Sequence, residues 1–493
     1  MRSKRVLALL LSALLLLPTL ASCATGDTST DDGSSTTAST NETNTDELKD
    51  SLPDDLDYEG DEIVIISRGN NMELADEFYA TNLTGDPVND AVFERNTTVE
   101  NRLNIKITSI SQDTSVLGAV INSVSSGSKD YDVMVEYCWE AAPKTIDGYF
   151  ANLRSTEYLD FDQPWWTQSF NEVMSYQDVQ FAVTGALVLS TYRRTYATVF
   201  NKRLFTDASQ PFLYDCVENG EWTLDKQASL VPLFYKDNGN NTLDENGDIY
   251  GFVSDDFISV DPYWAACEID ILKKDTDGRY EWTLDSNKMY DAVEKVLHLY
   301  YNTNYGTYCV QEDDSFQTTT RQMFANGYAA MATLCIHGVE NSTVRNMADE
   351  YGIVPIPKYD KVQTSYHSQM HDAFTIACVP TTVAGDRLDE VSAVLEALAS
   401  TSYNVVRPVY YETTLRTKIA QDPQSSEMME LIISSIHIDA GVVFSHNMNS
   451  FHKIFQTLIK SKQNNTISLA KAYSAAAKKK LTSLVNRLDQ LSD

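Results

Sequence analysis

A regular alternation of strand and helix patterns near the start of the folded body constrains this fold most. Residues 62–67 form a β-branched run, residues 90–103 show helical spacing, and residues 104–110 alternate like a strand. Residues 114–124 again favour a helix, and residues 131–135 form a short apolar strand. Strands joined in this way by helices form a parallel sheet with right-handed crossovers. The pattern therefore predicts an α/β layer.

The rest of the body contains further elements of both kinds. A chain of 493 residues suits two or three domains. Strands are predicted within 196–205, 353–357 and 374–379, helices within 290–301, 388–398 and 467–491, and a helix-to-strand corner at 324–334. Residues 215–261 are rich in turn-forming side chains and predict no regular element.

The first residues carry the pattern of an export signal. Arg2, Lys4 and Arg5 precede the apolar run 6–17, which is shorter than the roughly 20 residues that span a bilayer. Residues 20–23 read Leu-Ala-Ser-Cys and resemble a bacterial lipobox. The resemblance implies cleavage before Cys23 and a lipid on its thiol, which would hold the protein at the outer face of the cell membrane. An ordinary signal peptide with a chance cysteine is the alternative.

An acidic, Ser/Thr-rich segment separates the signal from the folded body. Residues 24–62 hold thirteen Asp or Glu against one Lys, with few large apolar side chains. Such a segment cannot bury enough surface to offset its ordering entropy, so a flexible tether is predicted. The net charge of the whole chain is −32, which disfavours a nucleic-acid partner.

Motifs for metal binding and catalysis are missing from the sequence. Six cysteines of the body show no CxxC spacing, so no zinc site is predicted, and whether they pair stays open. Residues 237–248 faintly resemble a calcium loop but depart from EF-hand spacing, which favours a solvated turn. Neither GxSxG, HExxH nor a phosphate-binding loop occurs. We therefore expect neither a metal, a cofactor nor an enzyme.

Four stretches together resemble the extracellular solute-binding proteins of ATP-driven (ABC) importers, in particular the sugar-binding, family 1-like type. They are 130–134 (Asp-Tyr-Asp-Val-Met), 198–205 (Thr-Val-Phe-Asn-Lys-Arg-Leu-Phe), 324–331 (F-x-x-G-x-A-A-M) and 351–358 (with G-I-x-P-x-P-K). The resemblance implies two α/β lobes of the type II periplasmic-binding-protein-like fold, joined by hinge strands. It also implies a carbohydrate ligand between the lobes, hinge closure and delivery to permease subunits. A monomer is expected.

The domain boundaries follow from these patterns and the resemblance. We predict a signal peptide at 1–22, a tether at 23–60, mainly the first lobe at 61–195, mainly the second at 196–335, return strands and hinge at 336–385, and a C-terminal helical part packing on the second lobe at 386–493.

Candidate ligand contacts are side chains that suit a sugar and follow predicted strands. Aromatic rings pack on the apolar faces of sugars, and carboxylates, amides or Arg bind the hydroxyls. Ligands of open α/β sheets bind beyond the carboxyl ends of strands. The candidates are Trp139, Glu140, Trp166, Tyr192, Arg193, Asp261, Tyr263, Trp264, His371, Asp372 and Tyr410.

Each of these residues also has an ordinary structural explanation. The tryptophans could belong to the core, the arginines could form salt bridges, and the histidines could be hydrogen-bonded structural residues. Adjacent Arg193 and Arg194 keep a peptide or an anionic metabolite open as the ligand. A surface glycosidase, an adhesin and a glycan-binding protein without a transport role are further alternatives.

Overall fold

The computed structural model describes residues 48–69, 77–245, 247–284, 286–311, 317–416 and 423–492. The predicted signal peptide, Cys23 and most of the tether lie outside the described residues. Within the described ranges, no helix is both long and apolar enough to cross a bilayer.

Two larger sheets and one hairpin contain the strands of the described ranges. The strands are β1 (Asp61–Arg68), β2 (Ile105–Gln112), β3 (Val133–Tyr137), β4 (Tyr196–Asn201), β5 (Tyr250–Asp255), β6 (Leu272–Lys274), β7 (Tyr280–Trp282), β8 (Thr307–Val310), β9 (Ala329–Cys335), β10 (Tyr351–Val354) and β11 (Thr375–Cys378).

Helices connect and cover these strands. They are α1 (Pro87–Leu103), α2 (Val116–Ser126), α3 (Cys138–Ala141), α4 (Gln168–Met174), α5 (Ser190–Arg193), α6 (Lys202–Asp207), α7 (Tyr214–Glu218), α8 (Leu224–Leu230), α9 (Tyr263–Ala266), α10 (Ser286–Tyr301), α11 (Thr318–Ala325), α12 (Ile336–Glu340), α13 (Ser342–Arg345), α14 (Asp386–Thr401), α15 (Arg407–Arg416), α16 (Pro423–Ser434), α17 (Ala440–Val443), α18 (Ile454–Lys460) and α19 (Thr466–Ser492).

The first sheet has the strand order β11-β3-β1-β2. β1 runs parallel to β2 and β3, and β11 runs antiparallel to β3. Ile63, Ile65 and Ile66 are fully buried, as expected for a β-branched strand covered on both faces. α1 begins after Asp86, whose carboxylate accepts hydrogen bonds from two backbone amides of the first turn. The predicted parallel α/β layer is confirmed.

The second sheet has the order β10-β4-β9-β5-β8. β5 runs parallel to β8 and β9, and β4 runs antiparallel to β9. Both sheets therefore share one strand arrangement. In each, the parallel strand that comes first in the chain lies between the other two parallel strands. An antiparallel strand lies next to the parallel strand that comes last. The Gly327 corner between α11 and β9 has a φ of 74°, a conformation that favours glycine.

Two crossing segments connect the sheets. Residues 190–196 lead into β4 of the second sheet, and residues 368–375 lead into β11 of the first. The segments run side by side, since Thr195 pairs with Met370 in an antiparallel bridge and the His371 amide donates to the Arg194 carbonyl at 2.8 Å. The chain thus forms the antiparallel strand β4 directly after it leaves the first sheet, and the antiparallel strand β11 directly after it leaves the second.

The C-terminal helices divide between the two lobes, which corrects the prediction that 386–493 packs on the second lobe. α14 packs on α1, and its fully buried Val391, Val394 and Leu398 belong to the core of the first lobe. The reason is connectivity, because α14 follows β11, a strand of the first sheet. α18 and α19 pack instead on α10, beside the second sheet.

Candidate functional site

The carboxyl ends of the parallel strands of both sheets lie beside the crossing segments. After β3, the Cys138 amide donates to the Phe374 carbonyl at 2.8 Å. After β9, the Ile336 amide donates to the Thr195 carbonyl at 2.9 Å. In α/β sheets this edge is where ligands bind. The loops at these strand ends therefore form the candidate site.

A buried ionic network fixes the first-lobe side of the site. The Arg68 guanidinium, at the end of β1, donates to Glu77 and to the Thr375 hydroxyl at 2.7 Å each and lies 3.4 Å from Glu136. It also stacks 3.8 Å from the centroid of the Tyr137 ring. Burial raises the pKa of Glu136 above its ordinary value. The network ties the ends of β1, β3 and β11 together.

Trp139 follows the end of β3 and lies beside a crossing segment. Its side chain is partly exposed and its amide donates to the Asp372 carbonyl at 3.2 Å. The indole stacks on Tyr137, with centroids 6.2 Å apart and planes at 19°. It also meets the ring of His446 at 5.6 Å and 74°. Trp139 therefore offers a fixed aromatic surface at the boundary between the lobes.

Asp372 is a carboxylate that stays ionised beside this tryptophan. Its Oδ1 lies 3.1 Å from His371 Nδ1, and its Oδ2 lies 4.0 Å from His452 Nε2. Burial alone would raise its pKa, but the neighbouring histidines and Lys453 outweigh burial and lower the pKa to about 2. Burial lowers the pKa of His452 to about 4. An ionised acceptor of this kind suits a ligand hydroxyl.

Asp261 faces the same region from the second lobe. Gln456 donates its amide to both carboxylate oxygens at 2.9 Å. Burial raises the pKa of Asp261 well above its ordinary range, and the charge of Asp372 raises it further. The structure thus places Trp139, His371, Asp372 and Asp261 in one neighbourhood.

Tyr263 and Trp264 lie in the core rather than at an open surface. Both are buried, with 0% and 4% of their surface exposed. Trp264 packs on Phe455 of α18 with ring centroids 4.4 Å apart, and Tyr263 meets Tyr300 of α10 edge to face. This burial disagrees with the stacking role expected for the pair.

A cavity of about 220 Å³ lies between elements of both lobes. Its Arg193 Nε lies 3.2 Å from Glu340 Oε2, and the Tyr410 hydroxyl donates to Glu340 Oε1. Arg345 also faces the cavity, and its guanidinium has no partner among the described residues. The lining comprises Asp86, Val88, Arg193, Glu340, Arg345, Tyr410 and Thr413. The cavity joins the start of α1 to α12, α13 and α15, so two candidates, Arg193 and Tyr410, come together in it.

Trp166 and Tyr192 line a different cavity, of about 280 Å³. Trp166 is buried, and its Nε1 donates to Glu396 at 3.0 Å, as does that of Trp165. Tyr192 is also buried and stacks on Tyr410 at 5.3 Å. These contacts make Trp166 part of the first-lobe core.

Glu140 lies on the first-lobe side of the site. It accepts a hydrogen bond from Ser115 Oγ, the residue that caps α2, at 3.0 Å. Its carboxylate thus already has a partner within its own lobe.

The larger cavity of about 450 Å³ lies outside the boundary between the lobes. It is lined by the second lobe, by His367, which precedes a crossing segment, and by His437. Its charged groups already pair with one another, since Asp270 lies 2.6 Å from His437 and 3.0 Å from Lys273. It therefore offers a ligand few unsatisfied groups.

Within the described residues, no group of three or more His, Cys, Asp or Glu side chains could hold a metal ion. In the turn around 237–248, Asp237 accepts from the amides of Gly239 and Asn241, and Asp248 accepts from that of Asn238. These carboxylates thus serve the turn itself.

Sequence reasoning missed Glu340, His446, His452 and Gln456. Glu340 ends α12, the short helix after β9. The expectation that ligand contacts follow strands could therefore have identified it. The other three lie in the C-terminal helical part, and no preceding strand marks them.

No protein-family model and no curated protein sequence matches the chain. Solved structures do match it. A cyclic α-maltosyl-1,6-maltose binding protein from Arthrobacter globiformis aligns with a TM-score of 0.56 and 13% identity, covering 86% of this chain and 100% of that chain.

Two further structures cover similar shares. An ABC substrate-binding protein from Listeria monocytogenes in complex with cycloalternan has a TM-score of 0.52 at 11% identity, over 86% of this chain and 99% of that chain. A maltose/maltodextrin-binding domain from Bdellovibrio bacteriovorus bound to maltotriose has a TM-score of 0.50 at 14% identity, over 88% and 100%. At these identities the likeness shows the fold, and the predicted two-lobe periplasmic-binding-protein-like fold is confirmed.

Proposed function

We propose that this protein captures a carbohydrate outside the cell and delivers it to the permease subunits of an ABC transporter. In this proposal it binds without catalysis, needs no cofactor or metal and acts as a monomer. A lipid on Cys23 and the acidic tether hold it at the outer face of the cell membrane.

The observation that carries the proposal is the position of Trp139. It is a partly exposed indole at the carboxyl end of β3, beside the crossing segment, and its backbone amide donates to the carbonyl of the ionised Asp372. An aromatic surface next to a carboxylate matches the apolar face and the hydroxyls of a sugar. The solved neighbours of the same fold are described as bound to maltotriose and cycloalternan.

The cavity lined by Arg193, Glu340 and Tyr410 adds hydrogen-bonding groups between elements of both lobes. Arg193, Glu340 and Tyr410 form a connected set there, with donors and acceptors fixed by one another. Its volume, about 220 Å³, is below the roughly 300 Å³ at which pockets for drug-sized ligands begin. A cavity of this size therefore suits one end of an oligosaccharide rather than a whole one.

Intrinsic fluorescence with a glycan panel tests the proposal. We expect one class of saccharide to change the emission of the six tryptophans and to bind near the micromolar range, about −8 kcal/mol. Trp139→Ala should abolish most of this affinity. The matched control, Trp282→Ala, removes a tryptophan of β7 that packs on Phe451, and it should leave affinity unchanged. No response to any saccharide would contradict the proposal.

An anionic ligand is the second candidate, and the Arg345 guanidinium, which pairs with none of the described residues, favours it. A carboxylate or phosphate group could form a bidentate pair with this side chain. The panel therefore includes uronic acids and acidic peptides. Tighter binding of these than of neutral sugars, lost in Arg345→Gln, would favour the second candidate.

The lipid anchor requires its own test. Cells expressing the full chain should incorporate labelled palmitate into the protein, and Cys23→Ser should release it into the medium. Incorporation that persists in the variant would rule out Cys23 as the lipidated residue.

A further inference from the structure

We infer that residues 444–450 form a lid whose His446 ring occupies the sugar-binding neighbourhood of Trp139 until a ligand displaces it. This inference rests on the proposed carbohydrate site and concerns its regulation. The lid connects α17 to the 3-10 turn Phe451–Lys453.

The lid is anchored on both sides of His446, whose own side chain is exposed. Phe444 and Met448 are buried, each with 1% of its surface exposed, whereas His446 is exposed. Asn447 donates to the Pro143 carbonyl of the first lobe at 3.2 Å. The loop thus belongs to the C-terminal part of the chain yet reaches the lobe that carries Trp139.

The His446 ring lies where a sugar would compete with it. Its centroid is 5.6 Å from that of the indole, within the roughly 4.5–7 Å typical of aromatic pairs. Tyr137 already stacks on the same indole in a near-parallel arrangement. A sugar ring that packs on Trp139 therefore needs the space that His446 fills.

Little else holds His446 in place. Among the described residues its side chain makes no hydrogen bond or ion pair, and its ring packs against Trp139. Since the loop is anchored by Phe444 and Met448, the ring can turn away by side-chain rotation without unpacking the core. An aromatic contact of this kind corresponds to roughly a two- to tenfold change in an equilibrium constant.

Two measurements on the full-length mature protein test the lid. The first is acrylamide quenching of the Trp139 fluorescence, which is the part of the emission that is lost in Trp139→Phe. This measurement needs no ligand. His446→Ala should raise this quenching at least about twofold, and His446→Phe, which keeps a ring, should not. His298→Ala, an exposed histidine of α10, is the matched control. Unchanged quenching in His446→Ala would overturn the lid.

The second measurement is calorimetric titration with maltotetraose and with whichever saccharide the panel selects. His446→Ala should bind about two- to tenfold more tightly than the wild type, and His446→Phe should bind like it. Weaker binding by His446→Ala would make His446 a ligand contact and overturn the lid. If no variant binds any saccharide, the proposed function fails, while the quenching result still decides whether His446 covers Trp139.

Discussion

Glu396 is a buried acid whose removal should change how the stability of the first lobe depends on pH. Its carboxylate is fully buried and accepts hydrogen bonds from Trp165 Nε1 and Trp166 Nε1 at 3.0 Å and from the Asp160 amide at 3.3 Å. Burial raises its pKa from an ordinary 4.5 to about 8, although the three donors favour the charged form.

The sign of the effect follows from proton linkage. Between pH 4.5 and 8 the folded state holds a proton on Glu396 that the unfolded state has lost. The stabilisation is complete below pH 4.5 and is lost as the pH rises toward 8. Each pH unit in this range lowers the free energy of unfolding by about 1.4 kcal/mol. The whole range from pH 4.5 to 8 therefore corresponds to on the order of 5 kcal/mol.

Urea unfolding of the wild type and of Glu396→Gln at pH 5.5, 6.5 and 7.5 measures this loss. The free energy of unfolding of the wild type, relative to that of Glu396→Gln, should fall by about 3 kcal/mol across the series, because glutamine does not titrate. Glu94→Gln, an exposed residue of α1, should follow the wild type. A constant difference between wild type and Glu396→Gln would refute the reasoning.

Three further outcomes are expected. Arg68→Met should cost about 3–5 kcal/mol in urea unfolding, because two buried carboxylates lose their counter-charge, and a loss below 1 kcal/mol would contradict a buried network. Trp264→Ala should lower the free energy of unfolding by about 3–5 kcal/mol, since the indole is buried against Phe455, whereas unchanged thermal melting would mark it as a surface residue. Asp270 raises the pKa of His437 despite the opposing effect of burial. The pair should therefore stabilise the fold fully below the ordinary histidine pKa near 6.5, and this contribution should be lost as the pH rises through the raised value. If the melting temperature of His437→Gln depends on pH between 6 and 9 with the same slope as that of the wild type, this expectation is contradicted.

The elements best predicted from the sequence are those whose pattern is set by burial on both faces. β1 and β3 are nearly continuous apolar runs, and both were placed within two residues of their observed bounds. β5 was missed inside a turn-rich stretch, because glycine, serine and aspartate interrupt its apolar residues. Gly251 is required there, since a Cβ would lie 2.0 Å from the Val231 carbonyl oxygen. That contact joins distant parts of the chain and leaves no local pattern.

The site could be predicted only where strand order determines it. Trp139 follows β3, and Asp372 lies in the segment that returns beside it, so topology alone brings them together. Tyr263 also follows a strand of the parallel set, but α18 and α10 cover its surroundings. Which helices cover a strand end depends on tertiary packing of the last hundred residues. Local sequence carries no information about that choice.

The six cysteines of the body are thiols in the structure, and four of them are buried. Burial raises the pKa of Cys138 well above its ordinary value and that of Cys267 to about 12. Because the thiolate is the reactive form, the four buried thiols should react slowly with oxidants in the folded protein. Oxidants should reach these four thiols most readily before folding is complete, so fast folding would protect them.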